Sequence, residues 1–214
     1  RPFYSNTTGA YNTVFGSQAL YSNTTASNNT AVGYQAAYAN TTGTGLVVVG
    51  RAALYTNTTG SSNTAVGNIA LYANTTGNYN AAFGESTLSA NTTASGNSGF
   101  GHEALSANTT GANNVAVGLQ ALKSNTTAAS NTAVGYQAGY SNTTGTQNNF
   151  FGTQAGYSST TDNQAFFGYQ AGYNTTSGTQ NTVMGGYRPF FSNTTGAYNT
   201  VLGSQALYSN TTAS

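Results

Sequence analysis

Acid–base or metal chemistry in this chain would have to come from His102, the single histidine, and from Glu85, Glu103 and Asp162, its only acids. His102, Glu103 and Ser106 together hold the residue types of a nucleophile with a base and an orienting acid. Glu85 and Glu103 stand 18 residues apart. A carboxylate pair at neighbouring positions about 5–10 Å apart is what glycoside hydrolysis requires. Against both readings, the residues around these side chains belong to a repeating pattern in which the reactive partners do not recur. They read as solvated surface. The chain is therefore expected not to be an enzyme, with no catalytic residue, no cofactor and no metal ligand set, since the hard ligands are too few. Its many glycines lack the strand–helix setting of a phosphate-binding loop.

A second chemistry is far more abundant. Asn-Thr-Thr occurs at Asn6, Asn23, Asn40, Asn57, Asn74, Asn91, Asn108, Asn125, Asn142, Asn174, Asn193 and Asn210, and each matches the N-x-[ST] acceptor of N-linked sugars. One reading is a sugar-coated filament. The other is turn chemistry: asparagine bonds the local backbone in turns and, stacked, forms ladders between chain segments. Any Asn/Thr-rich repeat generates the acceptor motif automatically, so both readings stand at this point.

Two more surfaces are available to ligands. Stacked threonines, such as Thr24 and Thr25 with Thr41 and Thr42, offer an array for ice, although adjacent threonines in a strand point to opposite faces. The tyrosine rows described below, set among polar turns, offer a surface for carbohydrate.

The elements that position these groups follow from composition and period. Of 214 residues only seven carry a formal charge, 3% of the chain, against about 25% in ordinary soluble domains. That leaves no electrostatic footprint for a nucleic acid. Cysteine is absent, which removes disulfides and thiolate metal sites and leaves the redox compartment open. The longest local apolar stretch lies around Leu46-Val47-Val48-Val49, far short of the ~18 residues of a membrane span, so no membrane insertion is expected. The chain opens on Arg1 and not on methionine, which reads as a processed product or a segment of a longer polypeptide.

A glycine preceded by a large apolar residue recurs at Gly16, Gly33, Gly50, Gly67, Gly84, Gly101, Gly118, Gly135, Gly152, Gly168, Gly185 and Gly203. The step is 17 residues, except for one of 16 (Gly152 to Gly168) and one of 18 (Gly185 to Gly203). Three residues after the glycine comes mainly alanine, then mainly leucine, then an aromatic row containing Tyr21, Tyr38, Tyr55, Tyr72, Tyr140, Tyr157, Tyr173, Phe190 and Tyr208. In this count Thr87 and Arg188 interrupt the alanine row. Seventeen residues are too few for helical or leucine-rich repeats, which need roughly 20–47. They suit one coil of a narrow β-solenoid, with two strands of about four or five residues and two turns. The fold class expected is all-β: a β-solenoid, or β-roll, of about twelve 17-residue coils with stacked parallel strands about 4.8 Å apart. A short helical turn over Gln18-Ala19-Leu20-Tyr21 is the one alternative kept.

Within the first strand, the residue before the glycine is expected to face the core and the small residue before that to face outward. In the second strand, alanine and the aromatic share one face and leucine takes the other. The marker glycine supplies positive φ or close approach of stacked backbone. The whole chain, 1–214, reads as a single tandem-repeat solenoid. Segments 1–27 and 188–214 differ at only two positions, Tyr4 against Phe191 and Phe15 against Leu202. They mark a 187-residue superrepeat of eleven units.

The units Asn29-Thr30-Ala31-Val32-Gly33-Tyr34-Gln35-Ala36 and Asn131-Thr132-Ala133-Val134-Gly135-Tyr136-Gln137-Ala138 resemble repeats of bacteriophage tail-fibre proteins. More distantly they are similar to the β-roll heads of trimeric autotransporter adhesins. The resemblance implies an extracellular, cell-surface or virion-borne fibre. The function expected is a structural filament or fibre shaft, with a carbohydrate-binding adhesin and an ice-binding protein as alternatives. The expected partners are further copies of the chain, end to end and side by side, and surface glycans.

Overall fold

The computed structural model describes residues 1–212; Ala213 and Ser214, the last two of the segment 188–214, lie outside the described residues. The chain divides into two compact units, Arg1–Thr110 and the remainder from Gly111 onward. Each unit is a parallel β-solenoid with one short strand per coil. The first unit holds β1 (Thr13–Phe15), β2 (Thr30–Val32), β3 (Val47–Val49), β4 (Thr64–Val66), β5 (Ala81–Phe83) and β6 (Ser98–Phe100). The second holds β7 (Val115–Val117), β8 (Thr132–Val134), β9 (Asn149–Phe151), β10 (Ala165–Tyr169), β11 (Thr182–Tyr187) and β12 (Thr200–Leu202).

Within each unit every strand pairs in parallel with the next in sequence, residue for residue except at one point of the β10–β11 pair, as in Thr13↔Thr30, Val14↔Ala31 and Phe15↔Val32. One coil of chain thus returns each position to the place directly above its equivalent. The marker glycines make this stacking sterically feasible. Gly33 has φ +136°, and a Cβ there would lie 2.5 Å from the carbonyl oxygen of Gly50. Any side chain would push successive coils apart.

The strand faces are the reverse of the expectation. The middle residue points inward and is fully buried, as at Ala31, Val48, Ala65 and Ala82, whereas the residue before the glycine faces out, with Phe15 at 75% exposure and Phe100 at 41%. The physical reason is width. The opposite wall also sends its leucine row inward (Leu20, Leu54, Leu71, Leu88, Leu105), and small residues opposite leucine fill a narrow tube without overlap. Burying one leucine stabilises by roughly 1.5–3 kcal/mol, and each coil repeats a similar set.

The second wall is not a strand. Gln18 and Leu20 take positive φ (58° and 47°), as do their equivalents in successive coils, while Ala19 between them and Tyr21 after them do not. Because the pleat is absent, alanine and leucine both point inward: Ala19 and Leu20 are each fully buried. This replaces the expected second β-strand, in which they would sit on opposite faces. The backbone still bonds between coils there, with Leu20 N donating to Ala36 O at 3.0 Å and Gln35 N donating to Ser17 O at 2.9 Å.

The irregular step of 18 is absorbed by Gly186, beside a break of register in the β10–β11 pairing, where Tyr169 opposes Tyr187. A Cβ on Gly186 would meet nothing within 4 Å. The extra residue moves the equivalences that follow. Arg188 does not stand in the alanine row, which Pro189 occupies, but in the glutamine row, with its N–H donating to Tyr169 O. Phe190 is the fully buried member of the leucine row, and Phe191 takes the aromatic position between Tyr173 and Tyr208.

Candidate functional site

The side chains that do most work in each unit form rows running from coil to coil. The first row is the asparagine of Asn-Thr-Thr. Asn57 Nδ2 donates to Asn40 Oδ1 and to Gly60 O, both at 2.9 Å, and Asn57 Oδ1 accepts from Asn74 Nδ2 at 2.8 Å. Asn23, Asn40, Asn74 and Asn91 repeat the pattern within the first unit. An asparagine amide has two donors and two acceptor lone pairs. At these positions most of that capacity is satisfied in a buried setting, where an unpaired group would cost about 1–3 kcal/mol.

A second asparagine row lies just before the strands. Asn29 Oδ1 accepts from Leu46 N at 2.9 Å, and Asn29 Nδ2 donates to Gly43 O at 3.0 Å. The same Gly43 carbonyl accepts from Asn40 Nδ2 at 3.0 Å, so one backbone oxygen ties the two rows together. Gly77 and Gly145 are used in the same way. The available sequence signal was the recurrence of these asparagines two residues before the middle strand residue, as Asn29 before Ala31 and Asn63 before Ala65.

Of the twelve Asn-Thr-Thr asparagines, Asn23, Asn40, Asn57, Asn74, Asn91, Asn108, Asn125, Asn142 and Asn193 are fully buried; Asn6, Asn174 and Asn210 are half-buried. Asn174 is not a member of the row at all. The turn after Ser159 is one residue shorter, and Asn174 falls level with Ser158 and Ser141. The row position is taken by Ser159 and Thr175, whose hydroxyls are buried without a hydrogen-bond partner. On either side of this gap Asn142 and Asn193 turn their Oδ1 to the local N–H of Gly145 and Gly196.

The threonines divide their roles. The first of each pair bonds the next coil, as Thr24 Oγ1 donates to Thr41 O at 3.1 Å; the second, as at Thr25 and Thr42, is exposed. A glutamine row, which sequence reasoning passed over, links Gln35 to Gln18 at 2.9 Å in the first unit. In the second it runs through Gln120, Gln137, Gln154 and Gln170 and meets Arg188 Nε, which donates to Gln170 Oε1 at 2.6 Å. The Arg188 guanidinium also lies over the rings of Tyr187 at 5.2 Å and Phe191 at 5.0 Å.

The tyrosine rows are continuous stacks. Tyr4, Tyr21, Tyr38, Tyr55 and Tyr72 follow one another at centroid spacings of 5.1–5.2 Å with planes within 8°. In the second unit Tyr140, Tyr157, Tyr173, Phe191 and Tyr208 stack likewise, at 4.9–5.3 Å with planes within 17°. Burial, and then the neighbouring Tyr38, Tyr72 and Tyr34, raise the Tyr55 phenol above its ordinary pKa. Tyr157 is raised by burial and by Tyr173, Tyr140 and Tyr136.

Of the candidate catalytic residues, Glu85 and Glu103 stand in adjacent coils, with Glu103 N donating to Glu85 O at 3.0 Å, and Ser106 N donates to Glu103 O at 3.3 Å. His102 Nδ1 stands 3.9 Å from Glu103 Oε2, and Glu85 Oε1 accepts from Asn68 Nδ2 at 3.2 Å. Ser106 stands in the aromatic row, two coils after Tyr72. Asp162 accepts from the N–H and hydroxyl of Thr146. Among the described residues, no group of three or more His, Asp or Glu is placed to hold a metal ion, and no helix is long and apolar enough to cross a membrane.

Compared with known proteins, the chain matches no family model, no curated protein and no solved structure. Its place is the broad class of parallel β-solenoid repeat proteins, on the strength of the fold alone.

Proposed function

We propose that this chain is the shaft of an extracellular structural filament, of the kind its likeness to tail-fibre repeats implies, carried on a virion or a cell surface. The observation that supports this is the use to which side chains are put. Asparagine, threonine, glutamine and tyrosine rows bond or stack coil on coil through each unit, so sequence is spent on axial cohesion rather than on one unique cluster. Other copies of the chain are the partners: end to end through the same parallel pairing, and side by side through the outward Val/Phe column. The test is electron microscopy of the native assembly. Long unbranched filaments are expected. A freely diffusing monomer at high concentration would overturn the proposal.

A second reading, an adhesin that binds surface carbohydrate, is favoured by one observation: the two five-ring aromatic stacks, whose rings are half-buried or, at Tyr4 and Tyr72, exposed.

A further inference from the structure

We infer that the tyrosine row Tyr4–Tyr21–Tyr38–Tyr55–Tyr72 is a binding track for a neutral, extended β-1,4-linked glycan, one sugar per coil, running along the solenoid. This rests on the carbohydrate-binding reading and narrows it to one class of ligand.

Three features carry the inference. The first is spacing. Successive rings advance by 5.1–5.2 Å over five coils. Sugars in a β-1,4-linked ribbon advance by nearly the same distance, because every linkage is equatorial and the chain is pulled straight. An α-1,4-linked chain coils and drifts out of step within a few sugars.

The second is ring geometry. Parallel rings in contact lie roughly 3.5–4 Å apart, so centroids at 5.1–5.2 Å with planes 4–8° apart require an offset stack. Each ring leaves part of one face uncovered by the next. The row is a staircase whose steps suit the axial C–H groups on the flat face of a β-linked sugar.

The third is polarity. Among the described residues, the hydroxyls of Tyr21, Tyr38, Tyr55 and Tyr72 take part in no side-chain hydrogen bond. They form a line of donor–acceptor groups at the sugar repeat. With four basic residues in the whole chain, capture of an acidic glycan by ion pairing is not its basis.

The experiment is titration calorimetry of the full chain with cellohexaose, chitohexaose and maltohexaose, alongside a broad glycan array. The variant combines Tyr21→Phe, Tyr38→Phe and Tyr55→Phe. Phenylalanine is tolerated in such a stack, since Phe191 sits in one at 5.2 and 5.3 Å from its neighbours. Binding of cellohexaose or chitohexaose is expected, strengthening with chain length up to five sugars, with none for maltohexaose. The triple variant should keep its melting temperature and lose about fivefold in affinity per hydroxyl. Equal binding of maltohexaose, unchanged affinity in the triple variant, or no binding of either β-linked hexaose would overturn the inference. Binding on the array confined to other glycans would sink the β-1,4 track and leave the adhesin reading standing; a blank array would sink both. Filaments persisting in the triple variant keep the shaft proposal separate from either result.

Discussion

The ring of Phe150 fills the space that a side chain at Gly156 would need: a Cβ on Gly156 would press on the edge of that ring. Elsewhere the coil pairs a small strand residue with a leucine across the tube, as Ala65 does with Leu71. Here the sizes are exchanged, with phenylalanine on the strand and glycine opposite. Phe166 and Gly172 repeat the exchange.

This exchange makes a double-mutant prediction. Phe150→Ala alone should cost about 3–5 kcal/mol by leaving a cavity. Gly156→Leu alone should be destabilising by overpacking. The positive φ of Gly156 is no obstacle, because Leu54 and Leu71 adopt 51° and 54° at the same position. Together the two changes should recover about 0.5–3 kcal/mol relative to the sum of the singles, measured by chemical denaturation. Strict additivity would contradict the packing described.

The gap in the first asparagine row gives a prediction of opposite sign. Ser159→Asn with Thr175→Asn should raise the melting temperature, because two buried unpaired hydroxyls are replaced by amides able to bridge Asn142 and Asn193. Asn57→Ala, by contrast, removes three hydrogen bonds and should cost about 3 kcal/mol. A stabilised Asn57→Ala would show that the row does not carry cohesion.

Sugar attachment is decided by the same geometry. The Nδ2 atom that would carry a glycan on Asn57 already donates to two buried acceptors. Peptide mapping of protein produced in a glycosylating host should find Asn57, Asn74 and Asn91 unmodified. A glycan on any of them would contradict their burial.

The stacked phenols set an alkaline limit. Tyr55 and Tyr157 have folded pKa values raised above 10.0, so above that value the unfolded chain loses protons that the folded chain keeps. Stability therefore falls as pH rises through 10, by linkage. A melting temperature that drops above pH 10, and drops less in Tyr55→Phe, is expected from calorimetry.

The coil, its period and the marker glycine were legible because stacking forces equivalent residues into one chemical type, which a count along the chain exposes. The direction of the strand was not. Both Ala31 and Val32 are apolar, and three residues of alternation carry no mark of which side is core; only the leucine across the tube decides it. The second wall was hidden for another reason. Positive φ at Gln18 and Leu20 is a conformation those residues seldom adopt, held here by hydrogen bonds from the adjacent coils that no local pattern announces. Asn174 misled because a motif carries no register: it follows Tyr173 directly, without the intervening residue of the other coils, so an intact Asn-Thr-Thr falls one place short of the row.

Fibre diffraction from aligned native filaments tests the central claim most directly. Coils stacked along a shaft predict a strong meridional reflection near 4.8 Å, the spacing of hydrogen-bonded strands. A pattern without that meridional reflection, or with it on the equator, would place the strands along the fibre and contradict the account.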